Sequence, residues 1–163
     1  MSEKMNLSQN SANYPNQSQE EPGLQSLMSP VPDDGATSHI GHERLKYKKA
    51  IITGGDSGIG HAVAIAYAHE GADVVLNYLP EEESDAQEVK GVIQSLGREV
   101  KLVPGDLKDE AFSKRLVEEA ASFFGDPNIL VLAAGKQQAE VDIASLSTQQ
   151  MQDTYATNVF SLV

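Results

Sequence analysis

Apolar positions along this chain change their spacing several times, and each change marks an element. The first 44 or so residues carry few of them. "NLSQNSANYPNQSQEEPG" is rich in Asn, Gln, Ser and Pro and cannot bury enough apolar surface to fold alone. In "LQSLMSPVPDDG", Leu24, Leu27, Met28 and Val31 are apolar beads between prolines. Two readings fit that segment. It is an extended strap across a folded surface, or it is plain disorder, because a few apolar residues barely offset the entropy of ordering.

From Lys48 the pattern tightens. "KKAIIT" predicts a short strand. Ile59, Val63, Ala66 and Tyr67 follow at helical spacing, with Gly71 as a stop. "DVVLNY" predicts a second strand, rich in β-branched residues. Ser84 with Gln87 spells a capping box ahead of a helix whose stripe is Val89, Val92, Ile93 and Leu96, ended by Gly97. "EVKLV" is a third strand. Asp109 caps a helix with Phe112, Leu116, Ala120 and Phe123 on one face, ending near Gly125. "NILVLAA" is apolar throughout, as expected of a strand covered on both faces. Ser147 with Gln150 is another capping box, and a last helix runs from there to the end. The alternation β-α-β-α-β-α-β-α predicts an α/β fold, a doubly wound parallel sheet. Right-handed crossovers favour strand order 3-2-1-4. The expected organisation is a mostly irregular tail over 1–44 and one domain over 45–163.

Composition narrows the function. A length of 163 residues gives one domain and a real core. A formal charge of −12 makes nucleic acid and anionic membrane poor partners. The absence of cysteine excludes disulfides, thiolate metal sites and thiol nucleophiles. No metal site is expected. No signal pattern or membrane-length apolar run stands in the chain, so the expected location is the cytoplasm.

The chemistry concentrates in "AIITGGDSGIGHA", where a strand gives way to a Gly-rich loop and then a helix. A P-loop is a poor match. Gly55 and Gly60 have its spacing, but His61 and Ala62 stand where it needs Lys and Ser or Thr. The common G-x-G-x-x-G spacing is absent too. What stands is Thr53-Gly54-x-x-x-Gly58-Ile59-Gly60. Gly54 suits a tight turn, Gly58 a close approach of backbone to a diphosphate, and Gly60 close packing of helix on strand. The free N–H groups and positive end of the helix then face the anion. The bare alternative is a Gly-rich turn without a ligand. His61 opens the helix either as a surface residue or as a contact.

At these glycines the chain resembles the short-chain dehydrogenases/reductases, whose motif is T-G-x-x-x-G-x-G. The extended, epimerase-like branch fits less well, since its spacing would put glycine at Ser57. The resemblance runs from Lys48 to the end and includes Asp106 after strand three, "AAG" after strand four and "TNVF" in the last helix. The tail segment "PGLQSLMSPVPDDG" is similar to the extension of a glucose-dehydrogenase-like subgroup of bacterial oxidoreductases.

That resemblance implies a Rossmann-type fold and a dinucleotide cofactor, NADP or NAD. It implies contacts from Gly54, Ser57, Gly58, Ile59 and Gly60 in the loop, and from Tyr78 at the end of strand two. Asp106 and Leu107 would lie beside the adenine, and Ala133, Ala134 and Gly135 beside the nicotinamide ribose. Tyr78 replaces the acid that grips a 2′-hydroxyl, so NADP or dual use is favoured. Leu79 brings no arginine, however, and Glu81, Glu82 and Glu83 follow. "LAAG" departs from the family's Asn-Asn-Ala-Gly and lacks its side-chain anchors. The family moves a proton with a Tyr-x-x-x-Lys pair and a serine, with an asparagine positioning a water. No tyrosine here has lysine four residues on; Asn158 alone matches, on the stripe of Met151, Tyr155 and Leu162, with its amide expected to turn inward. The implied partners are a small alcohol or carbonyl substrate and further copies in a homotetramer. Strand four would be a bare apolar edge, so the chain reads as an N-terminal piece of an oxidoreductase, inactive alone and with an incomplete sheet. A non-catalytic dinucleotide-binding module and a non-functional remnant are the alternatives.

Overall fold

A computed structural model of the chain describes residues 17, 19, 23–138 and 142–162. Most of the Asn-, Gln- and Ser-rich start of the tail therefore lies outside the described residues. The strands are β1 (Lys49–Thr53), β2 (Asp73–Tyr78), β3 (Val100–Pro104) and β4 (Ile129–Leu132). They form one parallel sheet in the order β3-β2-β1-β4. Ile52 pairs with Leu76 on one side and Val131 on the other. The helices are α1 (Gly58–His69), α2 (Glu83–Ser95), α3 (Glu110–Phe124) and α4 (Thr148–Asn158).

Alternation along each strand splits the core in two. Ala50, Ile52, Val74 and Leu76 pack with α1 and α2, through Ala64, Ile65, Ala68, Val89 and Ile93. Ile51, Val75 and Val103 pack against α3, through Phe112, Leu116 and Ala120. These are the two covered faces of a doubly wound sheet. Asp109 caps α3 as expected, accepting the Ala111 N–H at 3.0 Å, and Gly125 ends it at φ 79°.

Several local expectations give way. The α1 stripe is displaced: Gly60, His61, Ala64, Ile65 and Ala68 face inward, while Ile59 is 80% exposed. "GIGHAVAIAYAH" is apolar nearly all round, so its spacing does not select a face. Gly60, Ala64 and Ala68 on the buried face leave room for the helix to approach the sheet closely. Ser84 does not cap α2, which begins at Glu83. The preceding Pro80–Glu82 turn takes over, and the Glu82 carboxylate accepts the Leu79 N–H at 3.0 Å. The last helix stops at Asn158 and a 3-10 turn, Phe160–Leu162, follows. Ser147 does cap α4, accepting the Gln150 N–H at 3.0 Å. The Gln150 side chain reaches the Gln138 carbonyl instead of closing a capping box. Among the described residues, β4 is covered on one face only. Leu130 and Leu132 are 59% and 44% exposed, since α3 packs over β1 and β2.

The tail from Gly23 is a strap, but its apolar beads do not hold it. Leu27 and Val31 are 66% and 68% exposed, while Gln25 is buried. Polar contacts fasten the strap at several points. Asp85 on α2 accepts the Gln25 N–H and the Ser26 hydroxyl, at 2.5 and 2.7 Å. Asp34 meets His61 Nε2 at 2.9 Å. Glu70 accepts the His42 and Arg44 N–H groups and the Arg44 guanidinium. The side-chain and backbone hydrogen bonds of Arg44 hold the Glu70 carboxyl well below the ordinary carboxylate range. Among the described residues, no helix is long and apolar enough to cross a membrane.

Candidate dinucleotide site

The carboxyl ends of the four strands face one edge of the sheet, and the loops there carry nearly every residue singled out in the sequence. The chain crosses from β3 at one margin to β4 at the other. β1 and β4 therefore flank a topological switch point, where doubly wound sheets bind ligands.

The Gly-rich loop is built by close approach. Gly54, at φ 60°, lies so near β4 that a Cβ would come within 2.8 Å of the Ala134 Cα. At Gly60 a Cβ would sit 1.9 Å from the Gly54 carbonyl oxygen, so the first turn of α1 rests on the loop itself. Gly58 differs: at φ 54°, a Cβ there would meet nothing within 4 Å. Two glycines thus serve backbone packing, while the third faces open space beside the N-terminus of α1. The Gly58 N–H is held by the Gln25 side chain at 2.7 Å. Among the described residues the Ile59 and Gly60 N–H groups take no hydrogen bond. They lie at the positive end of the helix, the arrangement that receives an anion.

Within the loop, Asp56 is 1% exposed and its Oδ2 has no partner among the described residues. Burial pushes the Asp56 carboxyl up, partly offset by its own N–H and by the Ser57 hydroxyl. Burial also pushes up Glu82, and the Asp56 charge adds to it. Tyr78 is buried, and its hydroxyl donates to Glu83 at 2.5 Å. That contact turns the hydroxyl away from a free role at the end of β2. Burial first and then the Glu83 carboxylate push the Tyr78 hydroxyl up; the same bond pulls Glu83 down. His61 is neither a surface residue nor directed at the open loop. It is buried, meeting Asp34, Gln25 and the Asp56 carbonyl.

Two residues hold the loops in register, Thr53, which opens the glycine motif but was given no role of its own, and Asn77, which was passed over. Thr53 Oγ1 accepts the Ala133 and Ala134 N–H groups at 3.1 and 3.2 Å, tying the end of β1 to the "AAG" segment. Asn77 accepts the Gly55 N–H with its carbonyl. Its side-chain amide donates to the Gly105 carbonyl at 2.9 Å, just before Asp106. The sequence carries a signal for Asn77, a polar residue of low strand propensity inside "VVLNY". The Gln25 contact has no such signal: one more glutamine in a polar tail reaches the loop 33 residues away.

Asp106 accepts the Lys108 N–H at 2.9 Å and pairs with its ammonium at 3.2 Å. Leu107 is buried beneath it. On the β4 side, Asn158 grips the backbone of one residue, Lys136, by both its N–H and its carbonyl. Its Oδ1 accepts the Lys136 N–H at 2.7 Å, and its Nδ2 donates to the Lys136 carbonyl at 2.8 Å. The amide is turned inward as expected, although Met151, Tyr155 and Leu162 on the same stripe are exposed. The clamp fixes the backbone just after Gly135 and, among the described residues, leaves one N–H and one lone pair of the amide unused. Among the described residues, no group of acidic or histidine side chains could hold a metal ion.

Known proteins agree with this geometry. Residues 48–163 match the family model for short chain dehydrogenase. The chain is 56% identical over 149 residues to the uncharacterized oxidoreductase YghA of Escherichia coli, covering 91% of this chain and 51% of that protein. It is 54% identical over 149 residues to the uncharacterized oxidoreductase YhxD of Bacillus subtilis, covering 91% and 50%. Among solved structures, a short chain dehydrogenase from Burkholderia cenocepacia in complex with NADP superposes with a TM-score of 0.69. It is 35% identical, covering 73% of this chain and 48% of that one. The chain spans about half the length of the curated relatives it matches.

Proposed function

The chain belongs to the short-chain dehydrogenase family, and on that premise we propose that residues 45–163 form a domain that binds a nicotinamide dinucleotide, NADP or NAD, for an oxidoreductase acting on an alcohol/carbonyl pair. One observation carries this reading. Beside Gly58 there is open space, walled by the N-terminal turn of α1, where the Ile59 and Gly60 N–H groups have no partner among the described residues. A diphosphate fits that cradle in size, charge and hydrogen bonding.

In this reading Gly54 and Gly60 keep the loop tight, while Ile59 and Gly60 present their N–H groups to the diphosphate. Ser57 and Tyr78 border the adenosine ribose, and Asp106 and Leu107 border the base. Ala133, Ala134 and Gly135 form the floor on the nicotinamide side, and Thr53 holds that floor. The bound nicotinamide supplies hydride chemistry. Asn158 sets the backbone after Gly135, and its spare N–H and lone pair suit it to hold a water in a proton relay. The chain contains no Tyr-x-x-x-Lys pair; we expect binding without turnover from these 163 residues alone. The substrate class and a homotetrameric assembly are parts of the same proposal. The exposed Leu130, Leu132, Tyr155 and Phe160 support further protein burying this surface.

Gly58→Val tests the reading. A branched side chain would fill the open space and strain a residue at φ 54°. Calorimetric titration should show NADPH and NADH binding lost while the circular dichroism of the fold is retained. Unchanged affinity would refute the loop as the diphosphate site.

A further inference from the structure

The Gly-rich loop is not held by its own side chains alone. Ser57, which precedes α1, makes no side-chain cap, although serine is among the residues best suited to cap a helix. The Gly58 N–H donates instead to the Gln25 side-chain oxygen at 2.7 Å, 33 residues back along the chain. An N–H can only donate, so this bond fixes which end of the Gln25 amide faces the loop. The amide nitrogen then meets His61 Nδ1, in the first turn of α1, at 3.2 Å. Asp34, further along the strap, meets the other nitrogen of that imidazole at 2.9 Å. The Gln25 backbone is fixed separately, since Asp85 on α2 accepts its N–H. Gln25 is thus a buried bridge, with its backbone on α2 and its side chain on the start of α1.

Gly58 has need of such a hold. It stands at φ 54°, and a Cβ there would meet nothing within 4 Å, so no packing on that side restrains it. Glycine also has more backbone freedom to lose than any other residue. A loop that leaves its binding geometry for part of the time binds more weakly by that fraction. We propose that Gln25 is a positioning residue: the docked strap holds the Gly-rich loop in the geometry that receives the diphosphate, and strap docking and dinucleotide binding are coupled through this one side chain. Gln25 acts through the loop, so the proposal rests on the loop being the diphosphate site. Coupling of this kind is reciprocal. The bound dinucleotide must therefore hold the strap in place by the same factor that the strap lends to binding.

The test compares the two anchors of the strap on the full chain. Gln25→Met keeps the bulk of the side chain and removes both of its side-chain hydrogen bonds. Calorimetry should show NADPH binding weakened about five- to tenfold, the worth of one net hydrogen bond. Arg44→Ala frees the strap from Glu70 at the far end of α1. It should lower the melting temperature and leave NADPH affinity unchanged. In the wild type, saturating NADPH should slow hydrogen exchange of the Gln25 amide by a similar factor, and leave the Arg44 amide, bonded to Glu70, as it was. Equal effects at the two anchors, in affinity or in exchange, would make Gln25 a stabilising contact only and overturn the proposal. If Gln25→Met leaves NADPH binding unchanged while Gly58→Val abolishes it, the proposal fails and the loop reading stands. If Gly58→Val binds NADPH as the wild type does, the loop reading fails and takes the proposal with it.

Discussion

Thr53→Val isolates the bond between the two halves of the site. The Thr53 hydroxyl accepts the Ala133 and Ala134 N–H groups at 3.1 and 3.2 Å, and the side chain itself is 2% exposed. Valine has nearly the same shape, so packing on β1 is preserved and the two N–H groups lose their acceptor. Each buried unsatisfied group costs about 1–3 kcal/mol. Ala133 and Ala134 are half-buried, so the low end applies and the pair comes to about 2 kcal/mol. For a chain of this size that lowers the melting temperature by about 4–8 °C. Thr53→Ser keeps the hydroxyl and loses one methyl, a change of about 0.8 kcal/mol. Thermal unfolding by circular dichroism measures both variants, and amide hydrogen exchange at Ala133 and Ala134 should accelerate only in the valine variant. If Thr53→Val melts within about 1 °C of wild type, or if serine is as damaging as valine, the hydroxyl is not what joins β1 to the "AAG" segment.

Gly60→Ala should be far more damaging than its size implies, because its Cβ would fall 1.9 Å from the Gly54 carbonyl oxygen; the expected loss exceeds about 3 kcal/mol, read by urea unfolding, and a wild-type midpoint would refute the packing. Glu70 stabilises the fold where it is ionised and its folded pKa is depressed. That contribution is complete above the unfolded value of about 4.3 and is lost as pH falls toward the folded value. The melting-temperature gap between wild type and Glu70→Gln should therefore be largest near neutral pH and narrow below about pH 4; a gap independent of pH would contradict the Arg44 contact.

The sheet was legible because its evidence is local. "DVVLNY" and Asp109 carry strand propensity and a cap within a few residues, and right-handed crossovers then allow few orders for the sheet. The α1 face was not legible, since a helix of alanines and small apolar residues has no contrast for a period to reveal. The second face of β4 depends on what lies over it, not on the strand's own residues. In the site, Gly54, Gly58 and Gly60 stood out by their spacing after a strand; positive φ at Gly54 and Gly58 and the contact of Gly60 with the Gly54 carbonyl are why glycine is needed there. Their division of labour, two for packing and one for open space, needed coordinates. Thr53, Asn77 and Gln25 act through partners 22 to 81 residues away, beyond the reach of any spacing rule. The strap's polar fastening inverts the usual expectation because two acids, Glu70 and Asp85, sit where its backbone and side chains can reach them, and its own Asp34 reaches His61.

The central claim is that a dinucleotide's diphosphate lies on the N-terminal turn of α1. Titrating NADPH into the isotope-labelled chain while following its amide resonances tests it most directly. The account predicts saturable shifts at the Ile59 and Gly60 amides, whose N–H groups have no partner among the described residues, extending to Asp106 and to Ala133–Gly135. Saturable binding that leaves residues 54–60 unmoved, or no binding at all, would contradict it.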